Sequence, residues 1–271
     1  MTTSRVSVSA ICTFRLSLLE QLAFWQRHGI SNVGVSVAKL EEHGWDDGLA
    51  RVIEARDAGL HVGNLIGLGP FALDAPGEWS RQQDRLVRSL DAAVALGARC
   101  MVFTTGPAGR LSWEEAADAL ATAMAPVLVE ARRRGVRFAI EHTNSLRVDV
   151  GFVHSLADAL DLARRLDTGV CMEINACWAE RGLADTIRGG VERLALVQIS
   201  DYEIGTLSTP ARLVPGDGDI PIERIMTTLL DAGYAGDFDL ELIGPAIDDE
   251  GYDSAVPRAV SWLHDALERL A

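Results

Sequence analysis

Short apolar runs alternate along this chain with stretches whose apolar positions recur at helical spacing. Eight such runs fall at 6–12, 32–37, 60–66, 99–104, 136–141, 169–174, 194–200 and 236–244. Helices are expected between and after them, at 16–28, 46–58, 79–96, 112–134, 155–166, 183–188, 221–232 and 254–270. Glycine follows several of the expected helix ends, at Gly29, Gly59, Gly97 and Gly135, and Ser112 with Glu115 has the spacing of a capping box. Strand–helix alternation of this kind builds a parallel sheet. An open doubly wound sheet would use the same elements. Eight units in a chain of this length, without a glycine-rich dinucleotide fingerprint after the first run, favour α/β architecture of one closed kind: a single (β/α)8 TIM barrel, with residues 1–271 as one domain.

The last run, Gly236 to Gly244, carries the most information. Phe238, Leu240 and Leu242 share one parity, and Asp237, Asp239 and Glu241 share the other. In a closed barrel the apolar set lies under the helices and the acidic set faces inward, with Glu241 at the mouth. Three earlier strands end in the same manner. Ala139 and Glu141 oppose Phe138 and Ile140, Cys171 and Glu173 oppose Val170 and Met172, and Gln198 and Ser200 oppose Val197 and Ile199. Catalytic groups of such barrels sit at the C-terminal ends of strands. Glu141, Glu173, Gln198 and Glu241 are therefore expected to converge. Two carboxylates about 4 Å apart repel by roughly 4 kcal/mol at an effective dielectric near 20. Three must protonate, separate or bind a cation. A divalent ion held by three glutamates and the Gln198 carbonyl has an all-oxygen shell, which suits Mn or Mg better than Zn or Cu.

Composition narrows the partners. The formal net charge of −14 argues against nucleic acid as a general partner, since neutralising phosphates needs a basic surface. No apolar run is long enough for a bilayer, and Met1–Arg5 leads into the first strand without a signal segment, which points to a cytoplasmic protein. Four cysteines without CxxC spacing read as reduced and structural, Cys177 included. Lys39 is the single lysine and lies in a surface-like segment, which sets Schiff-base chemistry aside.

Further site candidates follow the strand ends. His142, beside Glu141, is a candidate general acid or base, although its parity directs it away from the lumen. Arg212, in the long loop after the seventh run, is placed to clamp a substrate oxygen, and Asp201 is a candidate support for the ion site. Asn175 and Trp178 after the sixth run, and Phe14 with Arg15 after the first, are candidate pocket linings.

These residues resemble the xylose isomerase-like barrel superfamily of sugar isomerases and epimerases over essentially the whole chain. The resemblance rests on Phe-Ala-Ile-Glu141, Val-Cys-Met-Glu173, Val-Gln198-Ile-Ser-Asp201, the Arg212-x-x-Pro215-Gly216-x-Gly218 loop, and Gly233-Tyr-x-Gly236 followed by Leu-Glu241. It implies Glu141, Glu173, Gln198 and Glu241 as metal ligands and Arg212 as a substrate residue. Glutamine at 198 is similar to the hydroxypyruvate isomerase and 3-dehydroshikimate dehydratase branches. Glu173 stands where Asp is usual, and Ala176 where epimerases often carry a substrate-binding histidine. The extra histidines of the DNA-repair endonucleases on this barrel are missing.

The expected function is a metal-dependent isomerase or epimerase of carbohydrate metabolism. It would move a proton next to the carbonyl of a small sugar, polyol ketone or keto acid, with Glu141 and Glu241 removing and returning it. A dehydratase (lyase) would use the same ion and base and need His142 to protonate the leaving hydroxyl. A non-catalytic polyol-binding barrel is the third reading, and a homo-oligomer is left open.

Overall fold

The computed structural model describes residues 5–271, and the expectation for Met1–Ser4 lies outside the described residues. Eight parallel strands close in sequence order, β1 pairing with both β2 and β8. They are β1 (Val6–Ser9), β2 (Asn32–Ser36), β3 (His61–Leu68), β4 (Cys100–Thr104), β5 (Arg137–Glu141), β6 (Gly169–Glu173), β7 (Leu194–Ile199) and β8 (Phe238–Leu240). The helices are α1 (Leu18–Arg27), α2 (Val37–His43), α3 (Trp45–Asp57), α4 (Trp79–Leu96), α5 (Trp113–Arg134), α6 (Leu156–Leu166), α7 (Ile174–Cys177), α8 (Leu183–Gly190), α9 (Ile222–Asp231), α10 (Pro245–Glu250) and α11 (Tyr252–Leu270). The chain is thus a (β/α)8 barrel. Ser112 and Glu115 form the expected capping box, and Ser17 with Glu20 forms a second one on α1. Among the described residues no helix is long and apolar enough to cross a membrane.

Side-chain parity sorts the core into two parts. Phe138, Ile140, Val170, Met172, Val197, Ile199, Phe238 and Leu240 are buried in the large layer between strands and helices. Ile66, Cys100, Val102, Ala139, Cys171 and Leu196 form a separate apolar cluster, supplied by β3 to β7. The opposing side is polar. Ser7, Asn64 and Asp239 are buried there, and Ser7 Oγ donates to Asp239 Oδ1 at 2.5 Å across the β1–β8 pair. Gly34 makes room for this layer, because a Cβ at that position would lie 2.5 Å from Asn64 Oδ1.

Two expectations need correction. Lys39 is buried within α2, not at the surface; its ammonium donates to Glu42 Oε2 at 2.8 Å and lies 5.4 Å from the Phe14 ring centroid. The eighth strand ends at Leu240 rather than running on to Gly244, and the first and sixth strands stop early, turning into a 3-10 turn at Ala10–Thr13 and into α7. The first and sixth continue as apolar sequence, so hydrophobicity alone does not mark the change.

Candidate metal centre

Glu141 ends β5, Glu173 ends β6, and Glu241 follows β8 directly, so all three project from the C-terminal end of the barrel. Each has a carboxylate oxygen within 4.8 Å of the other two. Glu173 and Glu241 are buried, and Glu141 is half-buried. Burial raises the Glu141 carboxyl well above its ordinary range, with Glu241 and Glu173 adding to the effect. Burial likewise lifts Glu173 to about 8, against the opposing pull of Arg212.

Gln198 completes the set by register. It is the Cα partner of Glu173 across β6–β7 and of Asp239 across β7–β8. Its side chain is fully buried, and neither Oε1 nor Nε2 has a hydrogen-bond partner among the described residues. An orphaned buried amide costs about 1–3 kcal/mol, which is tolerable where a ligand supplies the missing contact.

Arg212 enters from the loop between β7 and α9. Its Nη1 lies 2.6 Å from Oε2 of both Glu173 and Glu241. Burial disfavours the guanidinium charge, but Glu173, Glu241 and Glu141 outweigh that and push its pKa up. The loop that delivers it is organised by Asp201. Asp201 Oδ2 accepts the amides of Gly216 and Gly218, Oδ1 accepts those of Tyr202 and Ile220, and the backbones of Asp201 and Leu213 bond to each other in both directions. The Arg212 amide donates to Ile243 O at 3.1 Å. That approach depends on Gly244 (φ +140°), where a Cβ would stand 3.0 Å from both Ala211 Cα and Pro210 O.

The other candidates differ in how they contact this centre. Asn175 supports it, donating its amide to Glu173 Oε1 at 3.0 Å and its Nδ2 to Asp201 O at 3.2 Å. His142 is fully buried and accepts the Glu173 amide on Nε2 at 3.2 Å. Burial, with His154 nearby, lowers it to about 4. The bond from the Glu173 amide ties the His142 ring to the end of β6. Trp178 packs against the large core and lines a cleft with Leu183, Ile187 and Arg224. Phe14 is half exposed and meets Lys39, while Arg15 bonds Asp248. Cys177 is buried, and burial raises its thiol well above its ordinary value, which suits a structural residue. Sequence reasoning missed the Ser7–Asp239 pair beneath the centre; the matching inward parity of the two strands was the available signal.

Fold and site together define a (β/α)8 barrel with an acidic oxygen-donor cluster at the C-terminal end of its strands. The family model described as xylose isomerase-like TIM barrel matches residues 28–266, and the chain belongs to that family. Among curated proteins no match is found. Three solved structures share the fold across nearly the whole chain. Protein SMc04130 from Sinorhizobium meliloti 1021 is 23% identical, with a TM-score of 0.83 over 99% of this chain and 98% of that one. The IolI protein with a bound zinc atom is 16% identical, with a TM-score of 0.83 over 99% of both chains. The 3-keto-D-glucoside 4-epimerase YcjR from E. coli is 18% identical, with a TM-score of 0.75 over 97% of this chain and 100% of that one.

Proposed function

We propose that the chain, read as one domain over residues 1–271, is a divalent-metal-dependent isomerase or epimerase. Its substrate is a small sugar, polyol ketone or keto acid, and the reaction is proton transfer at the carbon next to a carbonyl. The observation that carries this reading is the meeting of three glutamate carboxylates beside a buried glutamine with no partner for its amide among the described residues. Glu141, Glu173, Glu241 and the Gln198 oxygen would hold the ion. Their oxygen-only donors favour Mn or Mg. When bound, such an ion polarises a carbonyl oxygen and stabilises the negative charge that builds there.

The remaining work belongs to the chain's own side chains. Glu141, the most exposed of the three, takes the proton from carbon, and Glu241 returns it to the same or the opposite face. Arg212 orients substrate oxygens at the mouth, and Asn175 keeps Glu173 in place. In this reading His142 is given no proton-transfer role, because it is fully buried and its Nε2 already accepts the Glu173 amide. That position also weakens the dehydratase reading, which needs His142 to protonate a departing hydroxyl. The buried, unpaired cysteines fit a reducing, cytoplasmic setting.

A second reading has one observation in its favour. Arg212 already places a positive charge between Glu173 and Glu241, as a non-catalytic polyol-binding barrel would require. Elemental analysis of the purified protein separates the two, and stoichiometric Mn or Mg supports the enzyme. A panel of ketoses, polyol ketones and keto acids, with added Mn, then identifies the reaction. In that assay Glu241→Gln is expected to lower turnover by about 10²-fold or more while leaving the circular dichroism spectrum unchanged. Turnover near that of the wild type in this variant would remove Glu241 from the mechanism.

A further inference from the structure

Arg212 fits the acidic centre poorly for a permanent ion-pair partner. Nη1 carries two hydrogens, and both are committed to Glu241: one to its main-chain oxygen at 3.1 Å and one to its Oε2 at 2.6 Å. Glu173 Oε2 is equally close, yet accepts no hydrogen bond from any described residue. The guanidinium therefore supplies charge between the two carboxylates without satisfying both of them. Among the described residues Gln198 has no hydrogen-bond partner either. A spherical divalent cation has no such directional limit and can engage all of these oxygens together.

The backbone of Arg212 is fixed by the hydrogen bond from its N–H to Ile243 O and by the mutual hydrogen bonds of its neighbour Leu213 with Asp201. The charged head, by contrast, hangs on a flexible three-methylene arm and can leave without movement of the loop. We propose that Arg212 is the resident counter-cation of the ion-free centre, competing with the divalent ion for the same glutamate oxygens and displaced toward the mouth when the ion binds. Metal loading and exposure of the substrate-facing guanidinium are then one event. This inference rests on the metal-dependent reading above.

The test compares wild type, Arg212→Met and Arg212→Lys, each stripped with chelator and titrated calorimetrically with Mn2+, Mg2+ or Zn2+ alone. Thermal midpoints are recorded in chelator and in saturating metal, with circular dichroism checking the fold. Arg212→Met is expected to bind metal at least about tenfold more tightly, since a competing unit charge has been removed. It should melt about 5–10 °C below wild type in chelator, because two buried carboxylates lose their partner. In saturating metal that deficit should vanish, and Arg212→Lys should fall between the other two. Equal metal affinity in wild type and Arg212→Met, or a deficit that persists with metal bound, overturns the competition while leaving the metal centre intact. Absence of metal binding in every variant overturns both. If Arg212→Met does not fold, Arg212→Lys and Arg212→Gln carry the same comparison.

Discussion

Gln198 buries an amide oxygen and an amide nitrogen with no partner for either among the described residues. In the ion-free protein that arrangement is a cost, of about 1–3 kcal/mol for a buried polar group left unsatisfied. Replacing Gln198 by Leu keeps much of the volume and removes the cost. The variant is expected to be as stable as wild type in chelator, or up to about 1–2 kcal/mol more stable. The same change deletes a proposed ligand, so metal affinity should fall about 10-fold or more in calorimetric titration. A purely structural glutamine would give the opposite pair of results, with lost stability and unchanged metal affinity. The convergence of Glu141, Glu173 and Glu241 was legible from side-chain parity, since residues of one parity in a parallel barrel must share the lumen. The same rule assigned His142 to the outside. Arg212 was singled out from its loop, but its contact with Glu173 and Glu241 was not legible, because it depends on how a long loop folds back onto the end of β8.

The loop from β7 to α9 works as an element although it contains neither helix nor strand. Asp201 gathers four amides, those of Tyr202, Gly216, Gly218 and Ile220. Hydrogen bonds to a charged acceptor contribute about 1.5–3 kcal/mol each when considered singly, with strong non-additivity. Asp201→Ala should therefore destabilise the protein by about 2–4 kcal/mol, seen as a lower denaturant midpoint at unchanged slope. It should also lower kcat/KM, since Arg212 would lose its mount. Asp201→Asn, which keeps one acceptor oxygen, should recover part of both losses. A stable variant with full activity would show that the loop holds its shape by other means. At this scale the strands were readable because buried parallel strands are continuous apolar runs between helix-ending glycines. The short helices α2 and α10 were not. Ser36 and Gly244, which precede them, make no side-chain cap bond, so the usual start signal is weak or missing.

Across the whole molecule, the acidic interior reverses the usual dependence of stability on pH. Burial raises Asp239 to about 8 and Glu173 to about 8, and lifts Glu141 well above the ordinary range. A carboxyl of this kind holds its proton more tightly folded than unfolded. Its contribution is complete below the unfolded value of about 4 and is lost as pH rises through the folded value near 8. Ion-free protein is accordingly expected to melt at a lower temperature at pH 8 than at pH 5, the reverse of ordinary acid unfolding. Divalent metal should restore the midpoint at pH 8, because it binds the folded, deprotonated cluster; at a concentration 100 times Kd the gain is about 2.7 kcal/mol. Asp239→Asn separates the layer beneath the centre from the centre itself. Its oxygen can still accept from Ser7, but the ionisable group is gone, so the fall between pH 5 and 8 in chelator should shrink by a few kcal/mol at most. Thermal melts of both proteins at the two pH values, with and without metal, measure each contribution. A wild-type midpoint that rises from pH 5 to pH 8 in chelator would mean that the interior carboxyls ionise without strain, and that the centre's demand for a cation is weaker than the geometry implies.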